Sequence, residues 1–373
     1  MPDQTDAVLE QLSQPDPRLE TAYARQRAVW RGEEPDYLPL LCEAVGQPWD
    51  GQDYTLPEQV ADPDRMLHEA LLSVGRQLPV RSDSVLSIRP QFGVGTLTTP
   101  FGCEYELSAK YGAPWVLTHP SKATLSQLEP GDLDLDGALI SRVCEVTRRL
   151  RSAVGDRLPV YMADTQGPFD IAHQVRGHDL LTDLYDDPPF VHHLMELTTH
   201  VYIEVSRRFK AALGEPDSSG HHSGNLAMEA CGARLCDDSG VLLPPALLEE
   251  FVFPYHQRAL ATFGGGWVHF CGRAPQLIDG YLQIPEVRAI NFGQPEMYDP
   301  AEVLPRCLAA GKLYYGAWPK HPGETSEAYF GRVLACLDGE RGGLILTYPA
   351  GADVETAMAA WHEAQGDREG TPY

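Results

Sequence analysis

A histidine and a cysteine two residues apart, His269 and Cys271, have the spacing best suited to chemistry in this 373-residue sequence. They belong to a short strand-like run that begins at Val268. Side chains alternate along a strand, so His269 and Cys271 face the same way. An imidazole beside a thiolate forms half of a zinc site, which predicts a metal centre here. The alternative is a buried histidine next to a small apolar cysteine, because the pattern is short and common.

A second group of candidates could do acid–base chemistry. The strand-like run 233–236 ends in two carboxylates, Asp237 and Asp238. A carboxylate at a strand end, ahead of a helix, can donate or accept a substrate proton. We select Asp237 as a catalytic candidate, together with Tyr348 after the last predicted strand. A helix cap followed by a solvated loop explains the two carboxylates equally well.

The segment 220–225 carries adjacent histidines between glycines. Its donors and acceptors suit a polar ligand, so we predict His222 as a catalytic residue. His221 and Asn225 are predicted to contact a cofactor. A surface loop without function is the alternative interpretation.

Strand and helix patterns alternate along the second half of the chain, at a spacing of roughly 30 residues. Strands are predicted at 158–163, 287–292, 312–317 and 343–348, with weaker candidates at 85–88 and 115–118. About eight strands favour an α/β fold of the (β/α)8 TIM barrel type over residues 76–373. Residues 1–75 are predicted to form an N-terminal helical extension. Active sites of such barrels lie at the carboxyl ends of the strands.

The composition excludes other classes of protein. There are 53 acidic and 29 basic residues, a net charge of −24, which repels nucleic acid and anionic membranes. No apolar run approaches the ~20 residues of a membrane span, and the polar segment Met1–Gln14 is no signal peptide. We therefore expect a cytoplasmic protein with reduced cysteines, in which a functional cysteine is a ligand or a nucleophile.

Several segments resemble the uroporphyrinogen decarboxylase superfamily, in the right order over most of the chain. They are the opening segment Arg-Ala-Val-Trp-Arg-Gly-Glu at 27–33, Gly-Pro-Phe at 167–169, Leu-Tyr-Asp-Asp-Pro at 184–188, Phe-Val-Phe-Pro-Tyr at 251–255 and His-Phe-Cys-Gly at 269–272. The resemblance implies a (β/α)8 barrel and a homodimer. Asp83 lies in a stretch similar to uncharacterised relatives and is a candidate cofactor contact.

The methyltransferase branch of this superfamily is the better match. The decarboxylases bind their porphyrinogen through arginines just after the opening motif, but residues 40–46 contain no arginine and include Glu43. A pocket for a polyanion loses its main source of binding without those guanidinium groups. The decarboxylase histidine after the last strand is also missing, and Tyr348 stands about there.

In the methyltransferase branch, a His-x-Cys pair and a later cysteine hold zinc. The resemblance implies that His269 and Cys271 are zinc ligands, and that a corrinoid protein supplies a methyl group to a small thiol such as coenzyme M. The later cysteine is absent from residues 347–351. Its replacement as third ligand has to come from elsewhere, and the candidates are Cys236, Asp237 and Glu296.

Three functions therefore stay open. The first is a zinc-dependent methyltransferase in which Asp237 and His222 contact either the substrate or the residues that hold the metal. The second is a metal-free decarboxylase or lyase acting on a small carboxylic acid, with Asp237 or Asp238 and Tyr348 as acid and base. The third is a protein that binds a corrinoid or a tetrapyrrole without turnover.

Overall fold

The computed structural model describes residues 4–43, 53–107, 114–349 and 353–366. A six-stranded parallel sheet lies at its centre, beside two separate antiparallel pairs of strands. The strands are β1 (Leu40–Cys42), β2 (Tyr105–Leu107), β3 (Pro114–Val116), β4 (Gly220–His222), β5 (Leu226–Met228), β6 (Ala233–Cys236), β7 (Gly266–Phe270), β8 (Val287–Phe292), β9 (Leu313–Gly316) and β10 (Leu344–Tyr348). The helices are α1 (Gln4–Leu12), α2 (Pro17–Arg31), α3 (Leu56–Ala61), α4 (Pro63–Gln77), α5 (Lys122–Leu125), α6 (Ala138–Val154), α7 (Pro168–Arg176), α8 (Asp179–Asp186), α9 (Pro188–Leu213), α10 (Pro245–Phe251), α11 (Phe253–Thr262), α12 (Pro275–Tyr281), α13 (Pro300–Ala309), α14 (Ser326–Ala335) and α15 (Val354–Ala364).

The strand order of the parallel sheet is β1-β10-β9-β8-β7-β6. Neighbours from β6 to β10 follow one another in sequence and are connected through helices, as parallel pairing requires. The β4–β5 hairpin precedes β6, and the β2–β3 hairpin comes earlier in the chain. No helix within the described ranges combines the length and the apolar character needed to cross a membrane.

Side-chain alternation divides each strand between two environments. On β7, Val268 and Phe270 are fully buried in the hydrophobic core, where the Phe270 ring lies 5.2 Å from that of Phe292. Trp267 and His269 point to the opposite face of the sheet. The alternation therefore gives polar side chains of the strands a shared face that is separate from the helix layer.

Four helices begin in the same way, because an aspartate and a proline stand together at their first turn. The aspartate side chain accepts a hydrogen bond from a backbone N–H near the helix start, and proline needs no such partner. The four capping residues are Asp16, Asp62, Asp187 and Asp299. This pair sets the start of both long N-terminal helices and of the 26-residue α9.

The strand-helix repeats predicted for the second half of the chain are confirmed. The predicted strand 287–292 is β8, the run 233–236 is β6, and the strands predicted at 312–317 and 343–348 agree with β9 and β10 to within one residue at each end. The apolar runs there are long enough, and their flanking prolines and glycines clear enough, to define the elements.

The weaker strand predictions fare differently. The strand predicted at 115–118 is wrong as part of the main sheet, because β3 pairs antiparallel with β2 outside it. The weaker candidate at 85–88 and the strand predicted at 158–163 are joined by a single parallel bridge between Ile88 and Val160.

The N-terminal region contributes a strand that the sequence pattern did not predict. β1 pairs parallel with β10, with Leu41 opposite Thr347. β1 lies inside the helical extension predicted over residues 1–75, so a boundary at residue 75 does not separate the extension from the sheet. Three apolar residues after Pro39 are too short a run to show a period.

Asp83 attaches α2 to the sheet. One of its carboxylate oxygens pairs with Arg25 at 2.8 Å, and the other accepts a hydrogen bond from the backbone N–H of Leu40 at 3.0 Å. Both charged side chains are about 95% buried. Gln26 donates a hydrogen bond to the Asp83 carbonyl oxygen. Asp83, predicted as a cofactor contact, therefore lies within a buried ion pair at the start of the sheet.

We expect Asp83→Ala to lower the free energy of unfolding by about 3–5 kcal/mol, because it leaves part of a buried guanidinium unpaired. Glu196→Ala, which breaks the exposed pair with Arg258, is the control and should cost about 1 kcal/mol or less. Urea denaturation of the two variants measures both values. Equal losses would show that the Asp83 pair does not hold the N-terminal helix in place.

Candidate active site at the ends of β6 and β7

Four polar side chains meet where β6 and β7 end. Cys236, the last residue of β6, lies opposite His269 in the parallel register. The Cys236 sulfur, a carboxylate oxygen of Asp238 and a ring nitrogen of His269 all lie within 4.8 Å of one another. The Cys271 sulfur is 3.6 Å from His269 Nε2, and the Cys271 N–H donates to Asp238 at 2.7 Å. We call Cys236, Asp238, His269 and Cys271 the thiol cluster.

Asn291 on β8 determines which nitrogen of His269 is free. The Asn291 Nδ2 donates to the carbonyl oxygen of Tyr315 at 2.6 Å, so its Oδ1 faces His269 Nδ1 at 2.5 Å. An amide oxygen only accepts, so Nδ1 carries the proton and the lone pair of Nε2 faces Cys271. Burial, and then Arg234, lower the pKa of His269, which keeps the ring neutral. This is the arrangement in which histidine binds a metal.

The thiols of the cluster are protonated in the absence of a cation. Burial, and then Asp238, raise the pKa of Cys271 to about 11, and burial also raises the pKa of Cys236 well above its usual value. Gly293 leaves room for the Cys271 sulfur, since a Cβ there would lie 2.6 Å from it. One imidazole, two thiols and a carboxylate are the donor types that zinc prefers, so the residues present fit the metal that the family resemblance implies.

The Gly-Pro-Phe segment fixes the end of β6. The Gly167 N–H donates to the Cys236 carbonyl oxygen at 2.8 Å, and a Cβ on Gly167 would lie only 2.4 Å from that oxygen. Asp170, in the first turn of α7, accepts hydrogen bonds from the backbone N–H groups of Asp238 and Ser239 at 2.9 and 2.7 Å. The sequence pattern did not single out Asp170, although it follows directly after the family segment.

A second polar group lies deeper on the same face. Arg234 and Arg89 both pair with Asp164, at 2.7 and 3.1 Å. Burial opposes ionisation of Asp164, but Arg234 and then Arg89 lower its pKa, so it is charged. His222 packs between Tyr161 and a tryptophan of β7, with ring centroids 5.2 and 5.1 Å away. Sequence analysis missed both arginines, which stand singly in otherwise apolar segments.

The β4–β5 hairpin carries the predicted loop residues to different places. His222 points toward the ion pairs, and burial lowers its pKa well below the usual value. The Asn225 Oδ1 accepts from the Tyr315 hydroxyl at 3.2 Å. His221 faces α2 instead, where its Nε2 is 2.9 Å from the Tyr23 hydroxyl. The hairpin is therefore no free surface loop, and of its three candidates His222 is the one that the ion pairs act on.

Asp237 and Tyr348 do not reach the thiol cluster. Asp237 is completely buried, accepts from the Tyr281 hydroxyl at 2.5 Å and lies 4.0 Å from His256. The Tyr348 hydroxyl is 2.9 Å from Ser326 Oγ. Side-chain alternation explains the position of Asp237. This residue directly follows Cys236, whose side chain lies on the face of the thiol cluster, so the Asp237 side chain turns toward the helix layer.

The structure narrows the choice of a third metal ligand. Of the sequence candidates, Cys236 has its donor atom beside His269, and Asp237 faces away. Among the described residues, the donors grouped within 4.8 Å of one another do not include Glu296. Asp238, the neighbour of the selected carboxylate, joins the cluster instead.

Asp237 makes stability depend on pH. Burial, and then Asp170, raise the pKa of Asp237 to about 8, whereas an unfolded aspartate titrates at about 3.9. The folded carboxyl resists ionisation, so the protein loses stability as the pH rises between these values. As the pH rises from about 5 to about 8, we expect the free energy of unfolding to fall less in Asp237→Asn than in the wild type. Urea denaturation at each pH tests this, with the exposed Asp186→Asn as a control that keeps the wild-type profile.

Two comparisons relate this chain to known proteins, and no curated protein matches it. A solved structure of a methyltransferase from Methanosarcina mazei has a TM-score of 0.64 and 15% sequence identity, over 92% of this chain and 98% of that chain. The family model of uroporphyrinogen decarboxylase (URO-D) matches residues 23–214. Since this match covers more than half of the sequence, the protein belongs to the uroporphyrinogen decarboxylase family.

Proposed function

We propose that this protein is a zinc-dependent methyltransferase that moves a methyl group between a corrinoid protein and a small thiol. The observation that carries the proposal is the thiol cluster. Cys236 and Asp238 have donor atoms within 4.8 Å of a ring nitrogen of His269, and the Cys271 sulfur lies 3.6 Å from the free Nε2 of that ring. The fold shared with a methyltransferase supports it. The cytoplasmic location and the homodimer stay predictions.

His269, Cys271 and Cys236 are the residues that would hold the zinc, with Asp238 as a fourth donor. Cys236 on the neighbouring strand replaces the cysteine that relatives carry after the last strand. Bound zinc would keep an incoming thiol in its reactive thiolate form near neutral pH. Asp238 is the exposed member of the cluster, so it would be the donor that faces an incoming thiol.

The other residues position these donors. Asn291 holds the proton on His269 Nδ1, and Asp170 holds the backbone of Asp238 and Ser239. Arg234 favours the thiolate form of Cys236 by its positive charge, against the larger effect of burial. Each of these contacts restricts the cluster to one geometry before any ligand arrives, which is what a site for group transfer needs.

The decarboxylase alternative loses two of its three acid–base candidates and keeps only Asp238. Asp237 bonds to Tyr281 within the core, and Tyr348 bonds to Ser326. Glu43 lies where the resemblance would place a porphyrinogen-binding arginine, and it accepts from Asn225 at 3.4 Å. An acidic side chain at this position offers no positive charge to a polyanionic porphyrinogen.

We also infer that the sheet closes into a (β/α)8 barrel, of which the N-terminal helices form an extension. The bridge between Ile88 and Val160 supports this closure. So do the hydrogen bonds from Asp83 N–H to the Leu40 carbonyl and from Gly167 N–H to the Cys236 carbonyl. These contacts lie between the two edge strands, β1 and β6.

The first test is the metal content of protein purified without chelator. We expect about one zinc per chain, and its loss in Cys271→Ala and Cys236→Ala, because each removes a ligand. Asn291→Leu should weaken zinc affinity about 10–100-fold by releasing His269. Cys336→Ala is the matched control, since this half-buried thiol directly follows α14 and donates to the carbonyl oxygen of Arg332, away from the cluster. Zinc-free wild type, or equal zinc in all variants, would refute the metal site.

The second test is methyl transfer itself, followed by the change in the visible spectrum of methylcobalamin in the presence of small thiols. We expect transfer by the zinc-loaded wild type and by Cys336→Ser. Cys271→Ser should abolish transfer, because the ligand that holds the metal is gone. Full activity of Cys271→Ser would overturn the proposal.

A further inference from the structure

The ion pairs below the thiol cluster carry an excess of positive charge. Arg89 and Arg234 share the single carboxylate of Asp164, and within the described ranges neither guanidinium pairs with a second carboxylate. Asp238 acts on Arg234 only through space. His222 does not change this balance, because burial lowers its pKa and keeps the ring uncharged. An uncompensated charge inside a protein is costly, which favours an anion at this place.

Two buried hydrogen-bond donors without partners belong to the strand positions that carry these ion pairs. Arg234 Nε and Trp267 Nε1 have no hydrogen-bond partner among the described residues. The two residues face each other in the β6–β7 register, and the Arg234 guanidinium lies 5.7 Å from the Trp267 ring centroid. Buried donors without partners are rare, and where they occur they call for an explanation. An acceptor from outside the chain would satisfy them.

His222 supplies another donor. Its Nδ1 accepts a hydrogen bond from the backbone N–H of Ser223 at 2.8 Å. In a neutral ring the other nitrogen then carries the proton, so Nε2 is a donor. The side chains around the ion pairs therefore present mainly N–H groups, which suits an oxyanion and not a cation.

The ion pairs and the thiol cluster lie one two-residue repeat apart along the strands. Arg234 and Cys236 are two residues apart on β6, which places their side chains on one face roughly 7 Å apart. Solvent reaches the ion pairs, because 24% of the Arg89 side chain is exposed. A short molecule can therefore span both groups.

We propose that Arg89 and Arg234, with Asp164 between them, form an oxyanion-binding site for the small molecule that reacts at the thiol cluster. The ligand group is a carboxylate, sulfonate or phosphate, held by charge-assisted hydrogen bonds from the guanidinium groups. Asp164 orients both arginines and lowers their net attraction for the anion. That the bound anion belongs to a reactant rests on the proposed function, whereas the anion site itself does not.

The test measures anion binding to protein without metal or methyl donor. Thermal midpoints are recorded against increasing acetate, methanesulfonate or inorganic phosphate, with chloride at constant ionic strength as the reference. We expect at least one anion to raise the midpoint saturably in the wild type. Arg89→Gln should weaken its apparent affinity about tenfold or more, because a charge-assisted hydrogen bond is lost.

Asp164→Asn decides between binding and a purely structural role. It removes the internal competitor, so we expect tighter anion binding than in the wild type. Arg149→Gln, on the exposed surface, is the control and should bind like the wild type. If Arg89→Gln unfolds, as its circular dichroism would show, the opposite shift in Asp164→Asn still carries the test.

No saturable effect of any anion in the wild type would overturn the proposal, as would weaker binding in Asp164→Asn. The three anions distinguish the carboxylate, sulfonate and phosphate sources. Because the assay contains neither zinc nor corrinoid, its failure leaves the methyltransferase proposal standing. Failure of methyl transfer likewise leaves the anion site testable.

Discussion

The parallel register between β6 and β7 is the constraint on which the site depends. It places Cys236 opposite His269 and Arg234 opposite Trp267, so that the thiol cluster and the ion pairs form two successive layers of side chains on one face of the sheet. Alternation sends Leu235 and Val268, between those layers, to the other side, where both are fully buried. A shift of one residue would put the thiol and the imidazole into the core.

Contacts from outside the strands hold that register in place. Gly167 approaches the end of β6 so closely that only hydrogen fits at its α carbon, and Asp170 binds the two backbone N–H groups that follow. At the other end, the β4–β5 hairpin brings His222 and Asn225 to the same face. In this chain the family segment Gly-Pro-Phe thus holds the end of β6 through Gly167, and Asp170, which follows the segment, positions the backbone of Asp238.

The site combines a group of side chains that attracts cations with a group that attracts anions. The thiol cluster is a set of acceptors for a cation, whereas the ion pairs beneath it carry excess positive charge. The two layers are only about one strand repeat apart. A molecule that carries a soft nucleophile at one end and an oxyanion at the other satisfies both, and neither layer alone explains why the other is present.

The sequence by itself determined the repeats of strand and helix after residue 233, the metal-binding pair His269 and Cys271 as a candidate, and the family resemblance that the comparisons confirmed. These rest on local periodicity and on short contiguous motifs, which need no knowledge of distant contacts.

Only the tertiary structure decided which carboxylate joins the pair, because Asp237 and Asp238 are equivalent in sequence and differ by the face to which they turn. It also brought Arg89, Asp164 and Arg234 together from three separate segments. β1 gained its place by pairing with β10, more than 300 residues further along the chain. Long-range pairing and side-chain direction arise from packing of the whole chain, so no local pattern encodes them.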